Sequence, residues 1–164
     1  MRFSFEHIVR LPRERLFGFF KNPEGLEVLH AGWSKVRLLA HETRVRVGAE
    51  TWIEFTLAGC LPLVLGFRHT FFEPPIRFGE KAIHGPFSRF VHIHEFEPLA
   101  GGTLVRDLLE VSLPWHYGGE IAVRHLAARQ ITQLFQGRAR ALDRLVCDGT
   151  ITQRTARLEI PYRT

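Results

Sequence analysis

Gly85-Pro86-Phe87-Ser88-Arg89-Phe90-Val91-His92-Ile93-His94-Glu95-Phe96, followed after a short loop by Thr103-Leu104-Val105-Arg106-Asp107, is the stretch on which the reading of this chain turns. Successive side chains of an extended strand alternate between faces. Phe90, His92, His94 and Phe96 therefore share one face, and Val91 and Ile93 the other. Imidazoles set among aromatic rings are costly to bury unless they are paired or face a cavity. The pattern predicts a pocket.

On the second strand Asp107 shares its face with Thr103, Val105, Leu109 and Val111, while Arg106, Glu110 and Ser112 mark the other face. The cleaner apolar face is the one carrying Asp107, so that carboxylate is expected to point inward. Further along, apolar residues recur at spacings of three and four from Gly119 to Cys147, including Ala127, Ile131, Leu134, Phe135, Leu142, Leu145 and Val146. This is the period of a long amphipathic helix. Its stripe holds one misfit, Arg138. A buried charge needs a partner, and the simplest one for Arg138 is Asp107 or one of the two imidazoles.

Outward from this centre, residues 2–9 alternate as an opening strand with Phe3, Phe5, His7 and Val9 on one side. Pro12 opens a short helix carrying Leu16, Phe17, Phe19 and Phe20, which Asn22-Pro23 ends; Glu24 to Leu29 suits a second helical turn. Strands are expected near 34–40, 50–57, 67–73, 76–83, 88–97 and 103–112, separated by glycine and proline turn signals. The segment Leu57 to Phe67 is interrupted by two glycines and Pro62, which disfavour a continuous strand; it reads as a buried turn, a buried strand pair or an apolar gate. Residues 150–164 show no clear period and read as a tail.

The order strand, two short helices, six strands, long helix is satisfied by a curved antiparallel sheet with the last helix in its concave face. The α+β arrangement and the motif residues together resemble the helix-grip fold of the START-like superfamily, also called SRPBCC or polyketide-cyclase-like proteins, of Bet v 1 type. More narrowly, Gly85-Pro86-Phe87, Phe90, His92, His94 and Phe96, then Thr103 and Asp107, Pro114, and Phe135 with Arg138 are similar to a bacterial subgroup with the pattern GP(F/Y)xxWxHxHxF, TxxxD and FxxR. Phe90 stands where that pattern has tryptophan. The resemblance runs from about residue 2 to 147 and implies one ligand-binding domain, taken as 1–149. It also implies that apolar loops can serve as entrances, and that such domains accompany short-chain dehydrogenase-type epimerases.

Composition narrows the classes of function. At 164 residues, 45% hydrophobic and 24% charged, the chain suits one soluble domain. The 22 basic residues, 19 of them arginine, are dispersed rather than clustered, so no nucleic-acid site is expected; the net charge of +5 favours acidic ligands by steering. No apolar run is long enough to span a bilayer, membrane contact is expected to be at most transient, and the chain reads as cytoplasmic. Cys60 and Cys147 are expected to be reduced thiols. No GxGxxG or Walker pattern occurs, and no cofactor is expected.

His92-x-His94 matches a spacing used by zinc, with His69 or Asp107 available as a third ligand; without CxxC or HExxH the sequence assigns no metal. His30, His41, His84 and His116 are expected in water, and His7 as a satisfied inner imidazole. The site proposed from sequence comprises Phe90, His92, His94, Phe96, Asp107, Leu109, Phe135 and Arg138. Three readings of it stay open. The polar set could pin the helix to the sheet, recognise the polar end of an apolar or aromatic ligand (lipid, isoprenoid or polyketide-like), or act as an aromatase or cyclase with His92 or His94 as base beside Asp107. Docking to an epimerase or dehydrogenase partner, or to a second copy, is a further expectation.

Overall fold

A computed structural model describes residues 1–31, 36–42, 45–57 and 61–151. Seven strands form one antiparallel sheet in the order β1-β7-β6-β5-β4-β3-β2. They are β1 (Arg2–Val9), β2 (Val36–His41), β3 (Glu50–Leu57), β4 (Leu61–Glu73), β5 (Arg77–His84), β6 (Arg89–Leu99) and β7 (Gly102–Ser112). Two short helices, α1 (Arg13–Phe20) and α2 (Pro23–His30), join β1 to β2. Asn22-Pro23 separates them: Pro23 occupies the first turn of α2, where its missing N–H is harmless.

After β7 a 3-10 turn (Trp115–Tyr117) leads into α3 (Gly119–Ala122), one turn of π-helix (Val123–Ala127) and α4 (Ala128–Cys147). The sequence predicts this stretch as one uniform α-helix. The π turn instead inserts a wider coil while the flanking residues stay right-handed helical. On α4 the buried positions are Phe135, Gly137, Arg138, Ala141 and Leu142, so the misfit arginine does face inward.

The apolar interior has two parts. At one end, Val9, Leu16, Phe17, Phe96, Val105 and Leu142 pack as a solid core into which Ile151, the last described residue, is fully buried. Thr103 ties the β1–α1 corner to this end by donating its hydroxyl to the Leu11 carbonyl at 2.6 Å. At the other end, Leu109, Val111, Val123 and Phe135 form a second cluster, with Phe3, Phe5, Phe87 and Phe90 against it. Between the two lies the polar set.

Of the alternatives for Leu57 to Phe67 the structure has the strand pair, Leu57 of β3 standing opposite Leu61 of β4, and not the turn. Within the described residues, β4 runs unbroken from Leu61 to Glu73, with Pro62 opposite Thr56 near the end of the ladder, where a missing donor costs little. Gly66 is needed because the Trp52 ring lies over it: a Cβ there would stand 2.9 Å from a ring carbon. Residues 58–60, which include Cys60, and most of the predicted tail fall outside the described residues. Cys147 is an exposed free thiol. No helix among the described residues is long and apolar enough to cross a membrane.

Candidate functional site

Strand register builds the site. His69 on β4 pairs with Glu80 on β5, and Glu80 with His92 on β6. One inward step along the strands, Phe78 pairs with His94, and His94 with Asp107 on β7. Directly opposed residues in a sheet hold their Cβ atoms about 5 Å apart, so two adjacent rows bring five polar side chains together. Arg138 descends onto them from α4.

The contacts converge on a single oxygen. Asp107 Oδ1 lies 3.0 Å from His92 Nε2, 2.7 Å from His94 Nδ1 and 3.3 Å from Arg138 Nη1. A carboxylate oxygen only accepts, so His92 Nε2 donates to it. Arg138 Nη2 is 3.1 Å from His94 Nδ1 and can only donate, so this nitrogen stands between guanidinium and carboxylate, accepting from Arg138 in one tautomer and donating to Asp107 in the other. The cationic face of Arg138 also lies 5.0 Å from the Phe20 ring centre and 5.5 Å from that of Phe135, both favourable cation–π placements. On the far side of His92, Nδ1 is 3.5 Å from Glu80 Oε1.

Burial and charge divide the roles. Burial works against an ionised Asp107, but the Arg138 charge overrides it and holds the carboxyl well below its usual range. Burial also opposes charge on His92, yet its bonds to Asp107 and Glu80 prevail and raise its pKa. For His94, burial and then the neighbouring His92 charge press the pKa down to about 3, so this ring is neutral. Glu80 stays ionised because His92 outweighs the effect of its burial.

Above this polar floor lies a cavity of about 620 Å³. Its walls come from α1, α2, β3, β4, β6 and the helical stretch after β7, with Phe20, Leu29, Ile53, Leu63, Phe90 and Leu134 representing each side in turn. The cavity extends to Leu61 and Tyr117, both more than half exposed, and exposed Trp115 and Ile121 flank Tyr117 in the chain.

Six residues expected from sequence line this space: Phe90, His92, His94, Leu109, Phe135 and Arg138. Asp107 sits beneath them, reached through the two imidazoles. Phe96 departs from the expectation: it packs against Phe17, Phe20 and Phe78 and is not among the residues that line the cavity.

His30 is corrected as well. It is buried in the last turn of α2, its Nδ1–H donating to the Leu26 carbonyl at 2.8 Å, and burial lowers its pKa to about 4. His41, His84 and His116 are exposed as expected. His7 lies on the inner face, partly open to water, with Asp143 of α4 3.0 Å away. Glu80 is absent from the site expected from sequence; only its register between His69 and His92 places it there. Glu80, His92 and His94, rather than His69 or Asp107 with the histidines, present metal-ligating atoms all within 4.8 Å of one another.

No family model and no curated protein matches this chain. Solved structures do. TTHA0849 from Thermus thermophilus is 18% identical, with 91% of this chain and 99% of that one covered at a TM-score of 0.71. The AHSA1-like protein from Aeromonas hydrophila is 18% identical over 92% and 95% of the two chains, at 0.64. Ara h 8.0201 is 10% identical over 90% and 98%, at 0.63. At these identities the likeness is one of architecture, and it agrees with the sheet order and the long terminal helix: the chain has the START-like helix-grip fold of Bet v 1 type.

Proposed function

We propose that this protein binds and carries an apolar small molecule, of lipid, isoprenoid or aromatic polyketide-like character, whose one polar end meets His92, His94 and Arg138. The observation that carries this reading is the cavity itself. A space of about 620 Å³ is walled mostly by aromatic and aliphatic side chains, with Glu80, His92, His94 and Arg138 clustered on its floor. Ligand sites have this composition and this size range, about 300–1,000 Å³. The START-like fold and the similarity of the motif residues to polyketide-cyclase-like proteins support the same class of ligand.

Arg138 serves the ligand as well as Asp107. Its Nε is buried without a hydrogen-bond partner among the described residues, a donor that a ligand oxygen would satisfy. An acidic or phenolic end is therefore favoured over a purely hydrocarbon one. Competition against a naphthalene-sulfonate fluorophore tests this: 2-naphthoic acid should displace it at a concentration at least about tenfold lower than 2-methylnaphthalene does, since a charge-assisted hydrogen bond contributes about 1.5–3 kcal/mol. Equal displacement by both, or by neither, would defeat the proposal.

A catalytic reading rests on one observation, a neutral His94 oriented by Asp107 in the cavity wall, which is how a general base is held. Asp107→Asn would then lower turnover of an enolisable aromatic polyketide far more than it lowers stability. No turnover with any such substrate removes this reading.

A further inference from the structure

At the cavity floor Asp107 engages one nitrogen of each of two imidazoles and leaves the other nitrogen of each ring uncommitted to it. The engaged atoms are His92 Nε2 and His94 Nδ1, both facing Asp107 Oδ1. His92 Nδ1 and His94 Nε2 are thus the nitrogens left for an ion, each a lone-pair donor once any proton on it is displaced. Glu80 supplies a carboxylate oxygen 3.5 Å from His92 Nδ1, and one ligand atom from each of the three residues lies within 4.8 Å of the others. Around a tetrahedral ion with bonds of about 2.0–2.1 Å, neighbouring ligand atoms stand about 3.3–3.4 Å apart. The Glu80–His92 separation is long for a hydrogen bond and close to that edge.

We propose that Glu80, His92 and His94 form a binding site for a divalent transition-metal ion, with Zn²⁺ the best fit and Asp107 the shared outer partner of both imidazoles. Two imidazole nitrogens and one carboxylate oxygen suit zinc or iron(II) rather than calcium or magnesium, which prefer all-oxygen sites. Metal-bound histidines regularly donate their second N–H to a carboxylate that fixes ring orientation. Here one oxygen does so for two rings.

Two further features fit an ion with an open coordination position. All three ligands line the cavity, so the fourth position is reached from the ligand space. The buried His69, directly across the strand pair from Glu80, has an Nδ1 with no hydrogen-bond partner among the described residues and lines the same cavity. It is placed to bond a molecule held by the ion. Counting Glu80 and Asp107 as −1 each, Arg138 as +1 and the ion as +2 leaves +1, which an anionic oxygen such as a carboxylate, phenolate or hydroxide would neutralise. Ion binding displaces the proton of His92.

The test uses full-length protein stripped with a chelator and then titrated with Co²⁺. One equivalent should produce the visible d–d bands of a low-symmetry, four- or five-coordinate site, and Zn²⁺ should abolish them. Glu80→Gln and His94→Gln should each weaken Zn²⁺ binding by more than about tenfold, and Asp107→Asn by about 10–100-fold. His125→Gln, which removes an exposed histidine outside the site, should leave binding unchanged. Zinc-edge absorption spectroscopy of the wild type should show two imidazoles, a readout needing no variant to fold. Absence of the cobalt bands, or zinc bound without imidazole ligands, would overturn the proposal, as would equal loss of zinc on removing His125. Apolar ligands can fill the cavity with no ion present, so failure here and failure of the carrier reading are separately visible.

Discussion

Replacing Arg138 with methionine removes the permanent cation from the cavity floor, and the structure sets the expected cost. In the metal-free protein, charges of Glu80, His92, Asp107 and Arg138 sum to zero: two anions, one guanidinium and one imidazolium held by two carboxylates. Arg138→Met leaves that sum at −1 in a site where Arg138 and Asp107 are each 7% exposed. Deleting one partner of a buried pair costs about 3–5 kcal/mol. The adjoining cavity can admit water, which places this case at the low end, about 3 kcal/mol. Asp107→Asn strands the opposite charge and should cost a similar amount. The double variant strands neither, so it should be less destabilised than the sum of the singles by about 2 kcal/mol. Urea unfolding followed by tryptophan fluorescence and circular dichroism, with chelator present, measures all three. Additivity of the two substitutions within about 0.5 kcal/mol, or a loss below about 1 kcal/mol for Arg138→Met, would refute the pairing.

Other outcomes follow from single contacts. His30 has its pKa lowered to about 4 from an ordinary 6.5, so the unfolded chain takes up a proton first as pH falls. The stability associated with this ring is complete above pH 6.5 and lost progressively toward pH 4, by about 3 kcal/mol. His30→Leu should flatten that part of the stability–pH curve, and an unchanged slope would show the ring is not buried. Leu134→Trp, which narrows the cavity from α4, should weaken naphthalene-sulfonate fluorescence enhancement without lowering the melting temperature, whereas undiminished enhancement would place the probe elsewhere. Thr103→Val leaves the buried Leu11 carbonyl unsatisfied and should destabilise by about 1–3 kcal/mol in urea. A change below about 0.5 kcal/mol would mean that water replaces the hydroxyl.

What can be read in advance depends on whether one strand or helix carries the signal alone. Arg138 is the lone charge in an otherwise apolar helical stripe, and Asp107 sits on the cleaner face of β7, so both are legible from local period. Glu80 is not. Its strand, RFGEKAIH, carries apolar and polar residues on both faces, and only the register opposite His69 and His92 shows what it does. His30 reads as solvated because nothing near it in sequence reveals that α2 packs against α4. Phe96 shares a face with His92 and His94, but alternation cannot tell where a cavity ends and a core begins. The Leu61 to Phe67 stretch misleads in the opposite sense: Pro62 and Gly66 speak against a strand until Thr56 and Trp52 are seen across from them.

Native mass spectrometry of the freshly purified protein, before and after incubation with an aromatic carboxylic acid, tests the carrier reading most directly. A one-to-one complex in the wild type, weakened in both Leu134→Trp and Arg138→Met, is the predicted result. Wild-type protein that arrives empty and takes up no apolar compound, or a complex that neither substitution weakens, would contradict it.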